Sequence, residues 1–251
     1  MMKKALALIL TLSLLLGCVS MLSGCGRRIS YENGEAYTAG AFESDADIHS
    51  IEIYWDGKAV RVTSAFTDKI VAKEDYEEKD EEALHYSIAD GVLKIYPCAS
   101  GERVGDLSKT LLLQLPMAIV DGLRSLKIEA YGDTKVDLQT MKASSLSVVA
   151  EDGSVHMDGA LSRIYVETVK GDLSVKSATV TELDFVSVVG NANLSLHLQG
   201  FIAVMRGEVS EFKTNYEGTD GGTRFDYGTQ ETILTFDTEG AVSIFDYDIA
   251  Q

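Results

Sequence analysis

From Ile51 onward apolar and polar residues alternate in short runs, the period-two pattern of strands with one buried face, and helical periodicity is nearly absent. One phrase recurs: an alternating strand, a few polar residues around a glycine, then a second alternating strand. It spans Ile51 to Val62 around Gly57, Tyr86 to Ile95 around Gly91, Leu126 to Val136 around Gly132 and Leu146 to Val155 around Gly153. It continues from Ile164 to Val175 around Gly171, Leu183 to Leu194 around Gly190, Phe201 to Phe212 around Gly207 and Ile233 to Ile244 around Gly240. The glycines from Gly132 to Gly207 step by 21, 18, 19 and 17 residues.

A step near 19 that drifts by a residue or two suits a coil whose extra residues leave at a corner without disturbing the stacked strands. The pattern therefore predicts an all-β parallel β-solenoid of short, ~19-residue rungs about 4.8 Å apart. Residues 105–245 would make about seven rungs, roughly 35 Å long. Glycine is expected at the corners because a positive φ costs it nothing there. Asp56-Gly57 and Asp90-Gly91 have the composition of true hairpin turns. Both ends of a solenoid need protection from edge pairing. Residues 46–115 are expected to form an N-terminal β cap region and 116–251 the repeats, closed by an aromatic cap of Phe225, Tyr227, Phe236, Phe245 and Tyr247. The charged run from Lys73 to Glu82 reads as a solvated loop, since dense like charge repels.

The first 24 residues have a different grammar. Lys3 and Lys4 precede an apolar stretch from Ala5 to Leu16, the layout of an export signal. Leu22, Ser23, Gly24 and Cys25 then resemble the lipobox of bacterial lipoproteins, which makes Cys25 the expected lipidation site. The weaker match ending at Cys18 has a bulky Leu16 where a small residue is preferred. Several acyl chains on Cys25 would anchor the protein stably at the outer face of the membrane, where a single chain would not. Residues 25–45, polar and unpatterned, read as a flexible tether of about 25 Å by random-coil scaling.

Charge narrows the partners. The 251 residues carry 22 Lys and Arg against 39 Asp and Glu, a formal charge of −17. Removing residues 1–24 would take two lysines and no acid, leaving 20 against 39, or −19. Affinity through phosphate neutralisation, and with it nucleic acid, is excluded as a main mode of binding. Contact with an anionic envelope would need a divalent cation bridge or a local aromatic face, around Tyr54 and Trp55 or Tyr216 and Tyr227. Of three cysteines, Cys18 would be removed and Cys25 acylated, so no internal disulfide is expected and Cys98 is a structural thiol.

The opening Ile-rich strands, Asp90-Gly91-Val92-Leu93-Lys94-Ile95, Leu113-Gln114-Leu115-Pro116 and the serial Gly-Asp or Gly-Asn repeats together resemble the bacterial DUF4097 family. These are adhesin-like proteins of β-strand repeats, often lipoproteins or membrane-tethered, and the resemblance covers residues 46–245. It implies a right-handed parallel β-solenoid at the cell surface and brings no catalytic residue. The acidic insertion within residues 73–82 and the aromatic C-terminal segment depart from the pattern.

No signature of a nucleophile elbow, P-loop, dinucleotide site or zinc motif occurs. His156 with Asp158 and His197 with Gln199 fall in repeats two steps apart, about 10 Å, too far to share a metal. Asp133, Asp152, Asp172 and Asn191 stack at corners, where polar residues beside glycine serve the turn. Asp45 with Asp47 and Asp246 with Asp248 lack the full oxygen set of a calcium loop. The expectation is accordingly no catalytic residue, no metal and no cofactor. The chain reads as a lipid-anchored, non-enzymatic surface protein with adhesin-like binding of an envelope glycan or membrane protein. The alternatives are a glycosidase or lyase on a β-helix, needing paired carboxyls across a cleft, and an envelope-sensing accessory protein.

Overall fold

A computed structural model describes residues 27–75, 82–105, 107–229 and 231–246. The described chain is nearly all β, an open sheet not closed into a barrel, with one short α-helix, α1 (Met117–Gly122). Its strands are β1 (Thr38–Ala39), β2 (Phe42–Ser44), β3 (Ser50–Asp56), β4 (Ala59–Ala65), β5 (Ile70–Glu74), β6 (His85–Ala89), β7 (Val92–Tyr96), β8 (Thr110–Pro116), β9 (Ser125–Tyr131) and β10 (Lys135–Ala150). There follow β11 (Val155–Thr168), β12 (Leu173–Ser177), β13 (Glu182–Ser187), β14 (Ala192–Leu196), β15 (Gly200–Met205), β16 (Glu211–Thr214), β17 (Thr219–Asp220), β18 (Arg224–Gly228), β19 (Thr232–Asp237) and β20 (Ala241–Phe245).

The strands form two parallel ladders. One runs β7, β3, β9, the second half of β10, the second half of β11, β13, β19, β15. The other runs β8, β4, the first half of β10, the first half of β11, β12, β14, β20, β16. Each chain segment contributes one strand to each ladder, making eight tiers, about 34 Å of stack at ordinary strand spacing. Alternation sends like residues inward at the same register: Leu126, Leu146, Ile164, Leu183 and Leu234 face the core in successive tiers, each at most 2% exposed. Burying such rows contributes about 1.5–3 kcal/mol per large side chain.

Tier order departs from chain order at both ends. β3/β4 comes first in sequence yet lies second in space, beneath β7/β8. β19/β20 comes last in sequence yet lies between β13/β14 and β15/β16. Phe236, expected in the aromatic cap, is therefore fully buried in the stack interior, and Phe245 ends β20 opposite Ser195. Tyr247 lies outside the described residues. The aromatic end is built instead from Phe201, Phe212, Tyr216, Phe225 and Tyr227, with Tyr216 and Tyr227 rings 4.6 Å apart.

Antiparallel strands cover the ends. β6 lies on β7, β5 on β8, β2 on β5 and β18 on β15. Asp90 (φ 51°) and Gly91 (φ 72°) make the expected hairpin between β6 and β7. Asp56-Gly57 does not: β3 and β4 belong to different ladders, and the dipeptide is a corner. Residues 27–45, expected to be a tether, instead pack on the stack. Ile29 and Phe42 are 6% and 7% exposed, and β1 and β2 pair with β6 and β5. Apolar side chains within that polar stretch give it something to bury. Of the acidic run, residues 76–81 lie outside the described residues.

Four of the corners follow a different rule from the expected one. Gly153, Gly171, Gly190 and Gly240 do not adopt positive φ. They stand in a column in which a β-carbon on each would come within 2.2 Å of the backbone carbonyl oxygen of the tier before: Thr134, Gly153, Gly171 and Gly190 in turn. At these four positions glycine is required by close backbone approach, whereas Gly132 (φ 58°) has the expected positive φ. A buried hydroxyl accompanies the column. Thr168 donates to Gly171 O at 2.9 Å and lies 2.9 Å from Ser187 Oγ, and Thr238 donates to Gly190 O at 2.7 Å.

Candidate functional site: a tyrosine groove

Along the ladder that contains β3, β7 and β9, outward positions carry Glu52 and Tyr54, Lys94 and Tyr96, and Lys127, Glu129 and Tyr131. Period-two alternation puts these on one face while Ile51, Ile53, Leu93, Ile95, Leu126 and Ile128 point inward. The N-terminal segment lays Tyr31 and Tyr37 across that face. Tyr31 stacks on Tyr96 at 3.8 Å and 18°, Tyr96 stacks on Tyr54 at 4.6 Å and 3°, and Tyr37 meets Tyr96 edge-on at 5.5 Å. The segment is fixed by Tyr31 N donating to Ser100 Oγ, Ser100 Oγ donating back to Tyr31 O, and Tyr31 OH donating to Cys98 O. Beside these rings opens a groove of about 1070 Å³, lined also by Arg27, Arg28, Tyr86 and Tyr131.

Most of the charges of the groove are paired. Glu52 sits between Lys94 and Lys127 in register and binds Lys94 Nζ at 2.9 Å. Glu129 binds Lys127 Nζ at 2.7 Å and accepts from Tyr131 OH at 3.0 Å. Arg27 pairs with Glu151 and lies 4.2 Å over the Tyr131 ring, while Lys127 lies 5.4 Å over Tyr54. Burial first, then neighbouring negative groups, raises the Tyr96 and Tyr131 hydroxyls far above the ordinary tyrosine value. Burial pushes Tyr31 up to about 12. Carboxylate partners hold Lys94 and Lys127 above the usual lysine value. The groove thus offers ring faces, neutral phenol hydroxyls and neutralised ion pairs, which is chemistry for holding a ligand.

The residues singled out in the sequence scatter. Cys25 lies outside the described residues. Trp55 is fully buried in the core, its Nε1 3.4 Å from Lys109 O, whereas Tyr54 beside it joins the groove. Tyr216 and Tyr227 belong to the end cap, with Tyr216 OH donating to Leu196 O at 2.6 Å. His156 and Asp158 are exposed on β11, and His197 Nδ1 meets Asp246 Oδ1 at 3.1 Å, not Gln199. Asp172 Oδ1 accepts from the Asn191 amide at 2.8 Å and Asn191 Oδ1 from the Ala241 amide at 2.9 Å, so these corner side chains bind the next tier. Asp45 and Asp47 are exposed, and Asp248 lies outside the described residues. Among the described residues no group of three His, Cys, Asp or Glu side chains converges as metal ligands would. Cys98 is fully buried, and burial raises its thiol to about 11.

Tyr31, Tyr37, Tyr96 and Tyr131 were not singled out from the sequence. The available signal was two tyrosines, an isoleucine and a phenylalanine in a stretch otherwise composed like a linker. No helix among the described residues is long and apolar enough to cross a membrane.

No family model and no curated relative matches the chain. Among solved structures it is similar to a candidate cell adhesion protein from Clostridium sporogenes, at 13% identity and a TM-score of 0.44, over 82% of this chain and 98% of that one. It is also similar to a candidate adhesin from Bacteroides fragilis, at 10% identity and a TM-score of 0.35, over 83% and 97% of the respective chains.

Proposed function

We propose that the chain is a lipid-anchored, extracytoplasmic, non-enzymatic surface protein with adhesin-like binding, of the DUF4097 type, built as a right-handed parallel β-solenoid. Cys25 carries the anchor, and the tyrosine groove is the binding site. The observation that carries the reading is the groove's pairing pattern: Glu52, Glu129 and Glu151 are each held by a lysine or arginine. General acid–base work at a glycosidic bond needs two carboxyls free to carry or accept a proton across the cleft, and among the described residues the exposed Glu32 of the groove lining has no second one facing it outside these pairs. Stacked rings with adjacent hydroxyls suit a polar, hydroxylated ligand such as an envelope saccharide. The locally balanced charge gives such a ligand a place to approach a protein of formal charge −17.

The test is a glycan and cell-wall binding screen on the full acylated protein in detergent, with and without calcium, with bound material examined by mass spectrometry. Binding without new products, weakened by Tyr37→Ala, is the expected result. Fragmented glycan would sink the non-enzymatic reading and move attention to the carboxylates.

A further inference from the structure

The described chain begins at Arg27, which is fixed in place by Tyr131 and Glu151. Cys25 stands two residues earlier, and two residues of chain reach at most about 7 Å. The slack that a free tether would supply is absent from residues 27–44, where Ile29 is buried and β1 and β2 are paired. An anchor on Cys25 therefore emerges beside the tyrosine groove.

We infer that the groove docks on the headgroup layer of the bilayer that holds its own anchor. This rests on the lipidation of Cys25 and goes beyond the saccharide reading by giving the same groove a second contact, the surface of that membrane. Tyrosine suits the level of the headgroups, with an apolar ring and a hydroxyl that hydrogen-bonds at the wet side. With their ion-pair partners the groove's charges balance, Arg27, Arg28, Lys94 and Lys127 against Glu32, Glu52, Glu129 and Glu151, which relieves locally the strongly acidic balance of the chain. Anchoring makes the contact intramolecular, so weak ring and headgroup contacts suffice at the effective concentration that a short connection imposes. The protein then engages its membrane in cis, with the stack lying on the surface instead of hanging from it.

The test uses the full acylated protein, first weighed by mass spectrometry, then compared by hydrogen exchange in detergent and in vesicles of phosphatidylcholine with and without phosphatidylglycerol. Docking slows amide exchange of residues 28–38 and 86–96 on vesicles by at least about threefold, with β16 unchanged. The Ala36→Glu/Thr38→Glu variant, altered at two exposed groove positions, loses that protection on the anionic vesicles. Equal exchange in vesicles and detergent, or protection that the variant retains, overturns the inference. An unacylated Cys25 overturns the anchor reading and this one together, whereas an acylated protein without protection overturns this one alone.

Discussion

Gly171 packs against Gly153 so closely that a β-carbon at position 171 would come within 2.1 Å of the Gly153 carbonyl oxygen. No real β-carbon tolerates that distance, so tier spacing at this corner is set by the absence of a side chain. The same contact recurs at Gly190 against Gly171 and at Gly240 against Gly190. The column therefore holds each tier at a distance its neighbours already require.

Gly171→Ala should accordingly cost at least about 2 kcal/mol, in the range of strained or overpacked core changes. Gly122→Ala, where nothing lies within 4 Å, should be close to neutral. Urea unfolding of the two variants checks the contrast. Equal midpoints would show that the corner relaxes freely.

A second prediction concerns the capped end. Lys109 and Glu74 are 1% and 0% exposed, with Nζ 2.5 Å from Oε1 outside hydrogen-bonding geometry. Lys109 also donates to the carbonyls of Glu82 and Pro97 and lies 5.2 Å from the Trp55 ring. Removing one charge leaves the other buried and unpaired, so Lys109→Met or Glu74→Gln should each lose about 3–5 kcal/mol. The double variant Lys109→Met/Glu74→Leu should lose less than either alone. Fluorescence of Trp55, the single tryptophan, reports the unfolding. A single variant within about 1 kcal/mol of the parent would refute the pair's structural role.

The pH dependence has a definite sign at two places. Burial raises the Asp56 carboxyl above its ordinary value, only partly offset by Arg27. The folded state then binds that proton more tightly than the unfolded chain. Its contribution is present at low pH and is lost as pH rises through the folded value. Asp56→Asn should raise the melting temperature near pH 7 and lose that advantage below about pH 4. At the alkaline side Tyr31, at about 12, and Tyr96 and Tyr131, higher still, ionise only after the unfolded chain does. Stability should fall as pH rises above about 10, the ordinary tyrosine value. Ultraviolet titration of the folded protein should leave part of the 11 tyrosines un-ionised at pH 11. Complete titration there would contradict the buried cluster.

The period-two pattern and the spaced glycines made the repeated strands and their inward rows legible, because alternation alone decides which face is buried. Tier order was not legible, since sequence spacing says that Gly207 follows Gly190 and says nothing of insertion between them. A faint sign exists. Thr168, Ser187 and Thr238 each place a hydroxyl shortly before the corner glycine, whereas Met205 and Arg206 precede Gly207. The groove was half legible. Tyr54 stood out beside Trp55, but Tyr31 and Tyr37, which pack on its neighbour Tyr96, come from a segment whose polar composition resembles a linker. Composition averages over residues, while packing is decided by a few.

The insertion of β19/β20 bears on how the chain matures. A polypeptide delivered N-terminus first presents β15 and β16 before residues 232–245, although those residues form the surface on which β15 and β16 rest. The far end of the stack therefore closes only after residues 232–245 have been delivered, and a molecule without them would lose the support of β15 and β16 as well as the tier itself.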